Sequence, residues 1–83
     1  MPADPHTQLL RQIAATISVP RGLAPTARWE ALIAVEERQR EIAYLTDQVA
    51  FKLLTPGAAA EQLRDRVWRT PMPTGPKLVP SEQ

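Results

Sequence analysis

Cysteine is absent from this sequence of 83 residues, which excludes disulfides and thiolate metal sites. Domains of this size usually need a disulfide, a metal or a partner subunit for stability. With one histidine, His6, and scattered carboxylates, a structural metal is not expected, and no cofactor is expected in this chain. Association with a larger protein subunit, or with a second copy of the chain, is therefore the expected source of additional stability.

The sequence also lacks long hydrophobic runs and an excess of charge. Its unbroken apolar runs are too short for a transmembrane helix. The N-terminus has neither the basic region nor the apolar core of a signal peptide. Ten basic and nine acidic residues give a net charge of +1, which provides no general attraction to nucleic acid or to anionic membranes. We expect a cytoplasmic protein with a protein partner, and neither a membrane nor a nucleic-acid partner.

Proline is missing from two stretches, although the chain contains nine prolines. None lies in 26–55 or in 57–70. Because proline breaks helices, these stretches are free to be helical. The pattern predicts an all-α fold, in which one long central helix is flanked by two short helices and followed by a Pro-rich extended tail. The expected division is a single helical domain over 1–69 and a flexible tail over 70–83.

Capping residues mark where the three predicted helices begin. Asp4 precedes Pro5, and Thr55 precedes Pro56, as is typical of an N-cap followed by the first helical position. Thr26 is the expected N-cap of the long helix. The apolar stripe of the first helix comprises Leu9, Leu10, Ile13, Ala14 and Ile17. The expected inner face of the third helix comprises Ala58, Ala59, Ala60, Leu63 and Val67, with Arg64, Arg66 and Arg69 toward its end.

The long helix contains two apolar patches separated by a polar waist at 36–41. At about 100° per residue the two patches do not share a face. Either one straight helix buries its ends against different surfaces, with the waist in water, or the helix bends at the waist. The i,i+4 pair of Glu36 and Arg40 supports a continuous helix, which we favour. The patches are Trp29, Leu32 and Ile33, and then Ile42, Leu45, Val49 and Leu53.

Several large apolar residues exceed what two short helices can cover. Apolar residues around most of a helix indicate burial on more than one side, and tryptophan is enriched at interface hot spots. Trp29 suits either a core or an interface, whereas Trp68 is expected to project past the local core. The predicted interface residues are Trp29, Tyr44, Phe51, Leu54 and Trp68.

No arrangement of residues indicates catalysis. His6 lies in a first helical turn without an orienting partner. The carboxylates of the waist alternate with arginines and are expected to form a solvated, self-paired face. No Gly-rich loop precedes a helix, so no phosphate cradle is predicted. The arginines at 64, 66 and 69 are interrupted by Asp65 and lack a recognition motif for nucleic acid. Catalysis by this chain alone is not expected.

A group of residues from Arg28 onward forms a pattern: Arg28-Trp29, Ala31-Leu32, Glu36, Leu54-Thr55-Pro56, Glu61, Arg66, Thr70-Pro71, Gly75-Pro76 and Leu78. In this pattern the chain resembles the helical part of nitrile hydratase β subunits and their small accessory relatives. It departs from theirs at 26–27 and 57–58, and its stretch between Trp29 and Thr55 is longer. The resemblance implies a non-catalytic helical partner of a metal-bearing hydratase subunit, and no family active-site residue transfers to this chain. A similar likeness to the dimerising helix of small transcriptional regulators gives the alternative, a small regulatory, dimerising module associated with transcription or a phage function.

Overall fold

The computed structural model describes residues 4–74 and contains three α-helices. They are α1 (Pro5–Thr16), α2 (Pro25–Ala50) and α3 (Pro56–Asp65), and no strand occurs in this part of the chain. The prediction of an all-α fold with a long central helix between two short ones is confirmed. The helix α2 has 26 residues without a break, so it is continuous through the polar waist.

Local capping explains where α1 and α3 begin. The Oδ2 atom of Asp4 accepts hydrogen bonds from the backbone N–H groups of His6 and Thr7, at 3.1 and 3.3 Å. The Oγ1 atom of Thr55 accepts from the backbone N–H of Ala58 at 3.1 Å. These caps satisfy amides that have no partner within the helix. Both N-caps were predicted correctly.

The helix α2 begins one residue before the predicted N-cap, Thr26. Its N-cap is Ala24, which makes no side-chain capping bond, and Pro25 occupies the first helical position. Proline fits there because its φ angle is already helical and its missing N–H would have no helical partner. Thr26 therefore lies inside the helix, and that part of the prediction was wrong.

The C-terminal end of α2 comes at Ala50, whereas the sequence predicted that the helix continues to Thr55. Lys52 has a left-handed backbone with φ of 60°. Its N–H donates to the carbonyl of Val49 at 3.0 Å, and the N–H of Leu53 donates to the carbonyl of Gln48 at 2.8 Å. This pair of bonds is a Schellman motif. Because the motif usually carries glycine, the lysine gave no stop signal in the sequence.

The third helix is also shorter than predicted, since it ends at Asp65. Arg66 and Arg69 therefore lie beyond it, and Val67 is 88% exposed rather than on an inner face. Ala59 and Leu63 are buried, as predicted. The residues after α3 form a separate segment, which we call the strap (residues 66–74).

The core lies between α1, α3 and the C-terminal half of α2. The helices α1 and α3 pack side by side. Residues of their first turns, His6 and Pro56, line one pocket next to Leu53, which shows that both helices begin at the same end of the molecule.

The centre of the core is formed by buried residues, which are Leu9, Leu45, Ala59 and Leu63. The half-buried residues packed around them are Ile13, Ile42, Val49, Leu54, Ala60 and Trp68.

No helix within residues 4–74 combines the length and the apolar character needed to cross a bilayer.

Candidate interaction surface

One side of α2, which we call its inner face, is buried along most of the helix. Ala31, Ala34, Arg38 and Leu45 are its buried residues. Their separations of three, four and seven positions place them on one stripe of a helix. As predicted, the two apolar patches lie on different sides of the helix, since Trp29 and its neighbours are exposed whereas Leu45 is buried. The first patch is not buried within the chain, because two alanines and an arginine are buried in that part of the helix instead.

Arg38 is 5% exposed and joins α2 to the strap. Its Nη1 atom donates to the carbonyl of Ala34 at 3.0 Å and to the carbonyl of Thr70 at 2.9 Å. The guanidinium lies 4.9 Å from the ring centroid of Trp68, within the range of a cation–π interaction. A buried charge is costly without such partners. Arg38 is therefore satisfied by carbonyl oxygens and an aromatic face.

Glu37 holds the backbone of the strap from the neighbouring position. Its Oε2 atom accepts from the N–H of Arg69 at 2.7 Å, and its Oε1 atom accepts from the N–H of Thr70 at 2.8 Å. These two bonds, with a smaller contribution from the charge of Arg38, lower the pKa of Glu37 below its ordinary value. Hydrogen bonds that favour the ionised carboxylate have this effect.

A third contact lies one turn further along α2. The Nη1 atom of Arg66 is 3.5 Å from Oε1 of Glu41, and the Arg66 guanidinium is 5.8 Å from the ring centroid of Trp68. Trp68 thus contacts two arginines, one from α2 and one from the strap. Together these contacts fasten the strap across the waist, which was predicted to lie in water.

The start of the predicted tail is therefore packed. Thr70 uses both its N–H and its carbonyl in bonds to α2, and Met72 and Pro73 are half-buried. Ordered structure extends past the expected boundary between 69 and 70. The remainder of the predicted tail, 75–83, lies outside the described residues, as do the last residues that carry the hydratase resemblance.

The opposite side of α2, together with its C-cap Phe51, forms an exposed apolar surface that we call the outward face. At about 100° per residue its members lie within one half of the helix circumference, opposite the inner face. The side chain of Trp29 is 69% exposed and that of Phe51 is 73% exposed. Contacts within the described residues therefore leave both aromatic side chains largely uncovered. The large apolar members are Trp29, Leu32, Ile33, Tyr44 and Phe51.

The structure divides the predicted interface residues into two groups. Trp29, Tyr44 and Phe51 are exposed on the outward face. Leu54 and Trp68 are half-buried and pack against the core. Leu54 turns inward because α2 has already ended at Ala50, and Trp68 turns inward because the strap folds back. Their roles in binding a partner stay predictions, but both have contacts within the chain.

The acidic residues of the waist all have partners within the chain. Glu36 pairs with Arg40 at 3.5 Å on the exposed side, as the i,i+4 spacing predicted. Glu37 binds the strap backbone and Glu41 binds Arg66. The prediction of a solvated, self-paired face was therefore right for Glu36. It was wrong for Glu37 and Glu41, which contact the strap. Within residues 4–74, no group of three His, Cys, Asp or Glu residues is placed to hold a metal ion.

The remaining polar candidates lie apart from the strap. His6 is exposed and lies 3.9 Å from the carboxylate of Asp4, at the rim of an open pocket of about 380 Å³. Arg64 pairs with its neighbour Asp65 at 3.2 Å. The arginines at 64, 66 and 69 thus have different local partners and do not form one cluster on a helix.

Sequence reasoning missed the structural roles of Glu37 and Arg38. A usable signal was present, because Arg38 continues the spacing of Ala31, Ala34 and Leu45. A charged residue in register with a small-residue stripe indicates a buried, satisfied charge, provided that a partner segment is available.

Comparison with protein-family models, with curated proteins and with solved structures found no match.

Proposed function

We propose that this chain is a small, non-catalytic helical subunit that docks on another protein through the outward face of α2. The observation that carries this proposal is the alignment of exposed large apolar side chains on one face of a helix whose other face is buried. Amphipathic helices bind partner proteins through apolar side chains aligned on one face. Covering those side chains also provides the additional burial that a chain of this size needs.

The carboxylates of the waist support the proposal that the chain is not an enzyme on its own, because they already have partners within the chain. Each of Glu36, Glu37 and Glu41 already contacts an arginine or the strap backbone. General acid–base work needs a group with a perturbed pKa facing a substrate cleft. Glu37, whose pKa is lowered, is used to hold the backbone of Arg69 and Thr70.

The identity of the partner is a further part of the proposal. The resemblance to nitrile hydratase β subunits supports a hydratase subunit as the larger partner, and Trp29, which leads the resembling segment, lies on the outward face. The likeness to dimerising regulators supports self-association instead. We place the assembly in the cytoplasm on the basis of the cysteine-free sequence.

Site-specific photo-crosslinking in native cells tests the docking face. A photo-reactive amino acid replaces Leu32 on the outward face, and in the control it replaces Gln62, which is exposed on α3. We expect an adduct with a defined protein from position 32 and none from position 62. Equal labelling from both positions, or no adduct from either, would overturn the proposal.

The mass of the adduct identifies the occupant. An adduct of two 9.2 kDa chains indicates self-association, whereas a larger adduct indicates a different subunit. For the hydratase hypothesis, co-expression with the metal-bearing subunit and co-purification is the direct measurement. Leu32→Lys should abolish co-purification, and Leu10→Lys, on the exposed side of α1, should not.

A further inference from the structure

We propose that the occupant of the outward face is a second copy of this chain, with the two α2 helices packed antiparallel about a twofold axis at the level of residue 38. This inference rests on the proposed function, because it names the partner of the same surface. The observation behind this inference is the order of apolar and charged residues along the outward face.

The outward face has a charged centre between two apolar ends. Glu36 and Arg40 form an exposed ion pair in the middle of α2. Trp29, Leu32 and Ile33 lie on the N-terminal side, and Tyr44 and Phe51 on the C-terminal side. Two copies of a face with this order of residues fit each other only in particular orientations.

Charge selects the antiparallel orientation. With the axis at the level of residue 38, Glu36 lies opposite Arg40 of the second copy, and Arg40 lies opposite its Glu36. Two opposite-charge contacts then flank the axis. A parallel, in-register pair would set Glu36 against Glu36 and Arg40 against Arg40, which is unfavourable.

Charge also selects the register. An axis at the level of residue 40, two positions further along, would bring Arg40 against its own copy. At residue 38 the same arginine meets a carboxylate. In a twofold pair each contact between different residues occurs twice, so at the level of residue 38 the Glu36–Arg40 contact is made twice.

The same register pairs the apolar ends. At about 100° per residue, Ile33 and Tyr44 lie on one flank of the outward face, and Leu32 and Ala43 lie on the other. In an antiparallel pair each flank meets the same flank of the second copy. Ile33 therefore lies opposite Tyr44 of the second copy, and Leu32 opposite its Ala43, each pair within one position of the same level. Trp29 lies opposite Asp47, whose carboxylate is an acceptor for the indole N–H. All of these side chains are exposed in the single chain. Burying them on both sides of the charged centre gives the dimer its apolar contacts.

Charge reversal in the purified full-length chain tests the proposed pairs. In Glu36→Arg, two arginines of one copy face two of the other; in Arg40→Glu, the same holds for glutamates. We expect each variant alone to dimerise at least about tenfold more weakly than the wild type by sedimentation equilibrium. An equimolar mixture should recover to within about threefold, because every contact in the mixed dimer joins opposite charges. The double variant should recover as well.

Both residues are exposed, so the helix content of each variant should match the wild type by circular dichroism. A wild-type chain that stays monomeric at high micromolar concentration overturns the inference. It is equally overturned if the single variants dimerise as well as the wild type, or if the mixture does not recover.

Engineered cysteines test the register, since the natural chain contains none. Leu32→Cys and Ala43→Cys lie opposite each other in the proposed dimer, on the same flank of the contact. Under mild oxidation the mixture of the two variants should form a mixed disulfide, whereas either variant alone should not. Disulfides within the Leu32→Cys variant alone would indicate a parallel pair and overturn the proposal.

The outcome separates this inference from the function on which it rests. If the purified chain is monomeric while position 32 crosslinks to a larger protein in cells, the second copy is rejected and the docking function stands. If position 32 yields no specific adduct and the chain is monomeric, both are rejected.

Discussion

The Nη1 atom of Arg38 donates to the backbone carbonyl of Thr70 at 2.9 Å, which joins the middle of the long helix to a segment 32 positions later. The same nitrogen also donates to the carbonyl of Ala34 within the helix. One buried guanidinium therefore fixes where the strap crosses α2. The main apolar core lies toward the C-terminal end of α2, so this contact packs the strap against a part of the helix outside that core.

Removing the guanidinium should destabilise the chain. We expect Arg38→Ala to lower the free energy of unfolding by about 2–3 kcal/mol, because a charged hydrogen bond to Thr70 and the packing against Trp68 are both lost. Arg40→Ala is the matched control on the exposed side, and its effect should stay within about 0.5 kcal/mol. Urea unfolding followed by circular dichroism, at a concentration where the chain is monomeric, measures both. Equal effects of the two substitutions would show that Arg38 is not a structural contact.

The two tryptophans should differ in their contribution to the stability of the single chain. Trp68 packs against the core and two guanidinium groups, so Trp68→Ala should cost about 2–3 kcal/mol. Trp29 is exposed, and Trp29→Ala should change the unfolding free energy of the monomer by no more than about 0.5 kcal/mol. Chemical denaturation at a concentration where the chain is monomeric is the appropriate measurement. A larger loss from Trp29→Ala would mean that it is buried in the single chain.

Glu37 should make stability depend on pH in the acidic range. Its pKa is lowered in the folded state, so the unfolded chain binds the proton more readily. The contribution of Glu37 is therefore fully present above the ordinary glutamate value of 4.5 and is lost as the pH falls through the lowered folded value. Thermal unfolding of the wild type and of Glu37→Gln should differ at neutral pH, with the variant less stable, and should converge in acid.

Hydrogen exchange provides a second measurement for the same residue. The amides of Arg69 and Thr70 donate to the two carboxylate oxygens, and a glutamine side chain offers only one oxygen as acceptor. At least one of these amides should exchange faster in Glu37→Gln. Unchanged exchange at both would contradict the proposed role of Glu37. Glu36→Gln, which does not contact the strap, is the control.

Lys52 should be a site where glycine stabilises the fold. Its φ of 60° is unfavourable for a residue with a Cβ atom, and glycine adopts it without that strain. We expect Lys52→Gly to raise the free energy of unfolding by about 0.5–1 kcal/mol, after the entropic cost of glycine in the unfolded chain. Lys52→Ala keeps the Cβ atom and should give no gain. Thermal unfolding of the three proteins decides the point, and a loss of stability in Lys52→Gly would contradict it.

The sequence by itself determined the features that depend on neighbouring residues. Proline placement predicted three helices in the right order, and Asp4 and Thr55 predicted two N-caps, because a cap bonds to amides only two or three positions away. Glu36 and Arg40 formed their expected pair for the same reason. The composition also indicated that a surface would be left uncovered, and three of the five residues named for it are exposed.

Tertiary structure alone decided which side of α2 is buried. Arg38 lies inside because the strap returns to its side of the helix, and Ala31 and Ala34 are buried on the same stripe. Neither alanine nor arginine gives a strong hydrophobic signal. The end of α2 at Lys52 was hidden because its left-handed conformation is held by backbone bonds and not by a glycine. Leu54 and Trp68 turned inward for the related reason that their segments leave the helices. Contacts between positions more than 30 apart cannot be derived from a local pattern, since their energy depends on where the chain turns between them.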